Sequence, residues 1–106
     1  LNECDEILVP AAVFAELEYG FLRGRKTAEN ESLLASFLDE DCVSFQPATQ
    51  SIAERWGYAK AALAQKGMPI PENDIWIAAT ALETGARLVS YDRHFDHVGG
   101  LIRLAP

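Results

Sequence analysis

Apolar positions in the chain alternate between short continuous runs and longer stripes at helical spacing. Glu6-Ile-Leu-Val9 is a short apolar run that predicts a strand. Pro10 falls at or just before the first turn of a helix running from Ala11 to about Leu22, where its missing N–H costs nothing. Gly24 and the basic stretch Arg23 to Lys26 close that helix. A second helix is predicted from Thr27, its N-cap, with Glu29 and Glu31 early in it. It places Leu33, Leu34, Phe37 and Leu38 on one side. Val43 to Gln46 reads as a strand. From Thr49, the residues Ile52, Trp56, Ala59 and Leu63 form a helical stripe that Gly67 ends. Met68-Pro69-Ile70-Pro71 is a stiff extended connection, because a residue before proline avoids the helical region. A further helix runs from near Glu72 to Gly85 and buries Ile75, Ala78, Ala79 and Leu82. Arg87 to Ser90 reads as a strand, Asp92 to His97 as a loop or one helical turn, and Leu101 to Leu104 as a last strand.

Strands alternating with helices imply an α/β domain with a mainly parallel sheet and helices on both faces. A length of 106 residues is one domain's worth, and 49% hydrophobic residues supply a real but small core. No apolar run is long enough to cross a bilayer. The acidic start from Leu1 to Glu6 does not read as a signal peptide. The first residue is not Met, so a processed product, a fragment or an incomplete start is expected. Only four short strands are visible, and none is as apolar as a central strand should be, so something is expected to be missing before Leu1. A net charge of -7 argues against loose nucleic-acid binding, which Lys and Arg drive. It does not exclude a nuclease, since clustered carboxylates count as negative until metal ions occupy them. Such a surface also suits a basic partner segment. Cys4 and Cys42 make no disulfide framework; a reduced, cytoplasmic protein with both thiols buried or half-buried is expected.

Three carboxylates attract chemistry. Asp92 lies two residues past a strand, at the sheet edge where α/β sites form. Asp74 lies in the first turn of its helix, a position that also suits a dipole partner. Glu16 lies in the helix leaving Val9, within roughly 10 Å of its start at 1.5 Å per residue. Phe14, Leu17 and Phe21 surround it, and Ala12, Tyr19 and Gly20 share its face. A carboxylate on a semi-apolar face needs a partner, and a cation suits. Each acid alone has an ordinary explanation as a cap, a turn residue or a solvated side chain. His94 and His97, three residues apart near Asp96, could bind a transition metal, but a solvent-facing role is the expected one. Trp56 and Trp76 lie on apolar stripes and read as core or dimer-interface residues.

Three segments carry a family resemblance. Val9-Pro-Ala-Ala-Val-Phe-Ala-Glu-Leu-Glu-Tyr-Gly20, Pro69-Ile-Pro-Glu-Asn-Asp-Ile-Trp-Ile-Ala-Ala79 and Leu88-Val-Ser-Tyr-Asp-Arg-His-Phe95 resemble, in order, the motifs of the PIN-domain family, nearest to its VapC-type toxin ribonucleases. The resemblance implies a three-layer α/β/α sandwich, a single PIN-like domain over 1–106, and a Mg²⁺- or Mn²⁺-dependent endoribonuclease. It implies an RNA substrate, a protein antitoxin and a homodimer. Carried over by motif, Glu16, Asp74 and Asp92 are the catalytic, metal-holding acids, with Asp96 as an accessory acid. Asn73 would orient the helix start that carries Asp74. Arg93, Arg87 and the Arg23-Arg25-Lys26 cluster are candidate phosphate contacts, Arg93 foremost; Arg87 reads better as a surface residue. The family's opening strand, ending in Asp-Thr-Asn or Asp-Thr-Ser, is not among these residues, so the domain is expected to be N-terminally incomplete and short of one acid.

Two other readings follow. One is a catalytically impaired PIN fragment that serves as a dimerisation or antitoxin-binding module. The other is a phospho-accepting receiver-like domain, which ranks low because no lysine follows Lys66.

Overall fold

The computed structural model describes residues 5–106. Cys4 therefore lies outside the described residues. The chain divides into two compact units, Leu1–Pro47 and Ala48–Pro106.

In the first unit, strand β1 (Ile7–Pro10) leads directly into helix α1 (Ala11–Arg23). Helix α2 (Thr27–Leu38) and strand β2 (Val43–Gln46) follow. β1 and β2 pair in parallel, with Val9 opposite Phe45. A parallel pair needs a long crossover, and α1 with α2 provides it. Val9 is buried, and Phe14 of α1 meets the Phe45 ring edge-on at 5.4 Å. Thr27 is not the N-cap, as the sequence suggested. Lys26 holds that position, and the Thr27 hydroxyl donates to the Phe21 carbonyl at 2.7 Å, joining α2 to the last turn of α1. Of the apolar residues on α2, Leu34 is buried and Leu38 half-buried, whereas Leu33 and Phe37 are exposed. Cys42 is exposed rather than buried. It takes a left-handed φ of 69° in the turn before β2, and its carbonyl accepts from the Ile7 amide at 2.7 Å.

The second unit opens with helix α3 (Gln50–Lys66), capped by Thr49, whose hydroxyl accepts from the Ile52 amide at 3.2 Å. Gly67 ends it at φ 67°, a conformation that glycine adopts without a Cβ penalty. Helix α4 (Glu72–Thr84) ends the same way at Gly85. The two helices pack on one another, and Ile52, Ala59 and Leu63 of α3 and Ile75, Ala78 and Ala79 of α4 are all buried. At the margin of that seam the Trp56 and Trp76 rings stack at 5.6 Å. Strands β3 (Leu88–Val89) and β4 (Arg103–Leu104) are shorter than the apolar runs that carry them. They also pair in parallel, Leu88 opposite Arg103. Between them Arg93–His97 forms one 3-10 turn with Phe95 buried beneath it. Among the described residues no helix is long and apolar enough to cross a membrane.

Candidate metal centre

Two elements of the second unit deliver carboxylates to one place. Asp74 sits in the first turn of α4, where its amide donates to the Pro71 carbonyl at 3.0 Å. The extended 68–71 segment sets where that turn begins. Asp92 caps the 3-10 turn after β3. Its amide donates to the Ser90 hydroxyl at 3.1 Å, and its Oδ1 accepts from the His94 amide at 3.3 Å. The loop thus holds Asp92 from both sides.

The His94 ring lies between the two acids. Nδ1 is 2.9 Å from Asp92 Oδ1, and Nε2 is 2.8 Å from Asp74 Oδ2. The second contact is close but off the line of the ring N–H, so it is electrostatic rather than a well-formed hydrogen bond. One ligand atom from each of Asp74, Asp92 and His94 lies within 4.8 Å of the others. That spacing fits a divalent cation: the carboxylates are the hard oxygen donors that Mg²⁺ requires, and the added nitrogen suits Mn²⁺ as well.

The sequence placed His94 with His97 and Asp96 and expected it to face solvent. Instead it is about three-quarters covered, at 26% side-chain exposure, and turns to Asp74 and Asp92. A local signal was present: a histidine two residues after a capping aspartate can fold Nδ1 back onto the same carboxylate. Nothing local pointed to Asp74, which lies twenty residues earlier in the chain.

Both Asp96 oxygens accept from Arg103, Oδ1 from Nε at 2.8 Å and Oδ2 from Nη2 at 3.0 Å. Arg93 is exposed at the start of the 3-10 turn, and Arg87 is exposed before β3. Glu16 is exposed on α1 in the first unit. In the basic cluster, the Arg23 guanidinium lies 5.4 Å from the Tyr19 ring centre. Asn73 is exposed beside Asp74.

A parallel-stranded α/β fold with paired acids at the end of a strand and the start of a helix defines a class, and comparison with known proteins supplies the family. The chain belongs to the PIN-domain family, which matches residues 1–101 and so runs through both units. It is 32% identical over 104 residues to Ribonuclease VapC2 of Rickettsia felis, covering 96% of this chain and 75% of that protein. It is 35% identical over 95 residues to Ribonuclease VapC2 of Haemophilus influenzae, covering 88% and 70%. The crystal structure of VapBC2 from Rickettsia felis, bound to a DNA fragment from its promoter, superposes with a TM-score of 0.87 at 29% identity, over 97% of this chain and 76% of that one. The expected PIN-like α/β fold is therefore the fold of this protein.

Proposed function

We propose that this protein is a VapC-type toxin: a divalent-metal-dependent endoribonuclease that hydrolyses RNA phosphodiester bonds and is restrained by a cognate protein antitoxin. One observation carries the reading, the meeting of Asp74 and Asp92 on either side of His94. Family membership and the VapC ribonucleases among the relatives support it. A homodimer in the cytoplasm belongs to the same reading.

Asp74 and Asp92 are the acids that would hold the cation, and His94 stands within reach of both. Glu16 is assigned to the same chemistry by its motif alone. A bound Mg²⁺ or Mn²⁺ would stabilise charge on the scissile phosphate and lower the pKa of the attacking water. Asp92, held by Ser90 and by its own turn, offers a rigid ligand that needs little rearrangement. Arg93, exposed one residue on, is assigned the RNA-phosphate contact by its position next to Asp92.

The test is cleavage of RNA by the full-length protein with Mg²⁺ or Mn²⁺. Asp74→Asn and Asp92→Asn should each lose at least about a hundredfold in rate. Variants that cut as well as the wild type would remove these residues from the site. The alternative, a module that only dimerises or binds antitoxin, draws on the exposed Tyr19, Leu22 and Leu33 of the first unit. It takes over if the full-length protein binds its antitoxin but cuts no RNA with either metal.

A further inference from the structure

Arg103 stands outside the group just described, yet its guanidinium reaches both ends of the loop that carries Asp92. Nη1 donates to the Ser90 carbonyl at 3.1 Å, two residues before Asp92. Nε and Nη2 make a parallel pair of bonds to the Asp96 carboxylate at 2.8 and 3.0 Å, four residues after it. Ser90 in turn accepts the Asp92 amide through its hydroxyl. The Arg103 side chain is only 17% exposed, so solvent screens its bonds little on that side, although Asp96 is half exposed. β4 holds the arginine in place through its parallel pairing with β3: the Leu88 amide donates to Ile102 and the Ser90 amide to Leu104, on either side of Arg103. One planar fork therefore joins the end of β3 to the 3-10 turn and closes the loop on which Asp92 and His94 stand. A lysine could not do this, because a single ammonium lacks the parallel donors.

We propose that Arg103 and Asp96 form a positioning pair that fixes Asp92 and His94 for metal binding, and that Asp96 acts through Arg103 rather than as a metal ligand. The inference rests on the reading of Asp74 and Asp92 as the metal-holding acids.

The two roles for Asp96 predict opposite behaviour from Arg103. If Asp96 positions, Asp96→Asn and Arg103→Gln break the same clasp. Each should weaken Mn²⁺ binding to the full-length protein about tenfold by calorimetric titration, and the double variant should be no worse than either single one. RNA cleavage should lose kcat with KM unchanged. Amide hydrogen exchange at Asp92 and His94 should quicken alike in both variants, and Arg103→Lys should resemble Arg103→Gln despite keeping the charge. If Asp96 is itself a ligand, Arg103→Gln frees it and binding tightens or holds while Asp96→Asn weakens it, which overturns the proposal. Losses that multiply in the double variant, or two variants that bind as the wild type does, overturn it as well. Should the wild type bind no Mn²⁺, the metal reading of Asp74 and Asp92 fails, and hydrogen exchange still decides the clasp: unchanged exchange in Arg103→Gln refutes it.

Discussion

Asp92 is held through its own amide and through Oδ1, which receives both the backbone and the ring of His94. Such local closure is common after a strand, and by itself it would be only a turn. What sets it apart is the second carboxylate, Asp74, at the far nitrogen of the same ring. The sequence showed both acids, through their motifs, but not the histidine between them. Its side-chain direction depends on where α4 begins relative to β3, a tertiary matter that no spacing encodes. The Asp96–Arg103 pairing was hidden for the same reason, since Arg103 comes from a strand later in the chain. That pairing has a consequence for acid stability. The hydrogen bonds from Arg103, with further attraction from the Arg103 charge, Arg93 and His97, hold the Asp96 carboxyl below the usual carboxylate range. A carboxyl depressed on folding contributes stability above its unfolded pKa of about 3.9, and that contribution fades as pH falls through the folded value. The melting temperatures of wild type and Asp96→Asn should therefore differ by a small, steady amount between about pH 7 and 5 and converge below about pH 4. A gap that persists at low pH would mean that the pair contributes through packing instead.

At the level of elements, the stripes that proved most legible were those closed by glycine. Helices α3 and α4 both stop where Gly67 and Gly85 take a left-handed φ, and their apolar faces are the buried ones. Ala59, Ala78 and Ala79 are among the buried residues of these two helices. Ile52 is the largest fully buried side chain among the described residues, so Ile52→Ala should cost about 2–5 kcal/mol in chemical denaturation, while Thr49→Ala, which removes the cap of the same helix, should cost about 1 kcal/mol. Equal losses would show that the cap rather than the seam anchors α3. The less legible elements were short or two-faced. β3 and β4 keep only two residues each, Leu88 and Val89 opposite Arg103 and Leu104. Helix α2 has apolar residues on more of its surface than the first unit covers: Leu33 is 68% exposed although it adjoins buried Leu34. An apolar residue announces a buried face only when a neighbour exists to cover it, and hydrophobicity carries no record of where the neighbour is.

For the whole molecule, an acidic chain with a charge of -7 is a poor non-specific partner for nucleic acid, so under the proposed ribonuclease reading affinity for RNA would come from the site and from cations bound to it. The site's state is therefore worth reading directly, and the tryptophan pair makes this practical. The chain contains two tryptophans, Trp56 and Trp76, stacked on one another. The Trp56 indole N–H is 3.5 Å from the Glu72 carbonyl, and Trp76 is itself part of α4, two residues beyond Asp74. Every photon of indole emission thus originates beside the helix turn that presents Asp74, and no label is needed to watch it. Titration with Mn²⁺ should change the emission along the same curve as calorimetric binding, and Asp74→Asn should abolish both changes. An emission that stays constant while the metal binds would show that this turn is already in its final place before a cation arrives.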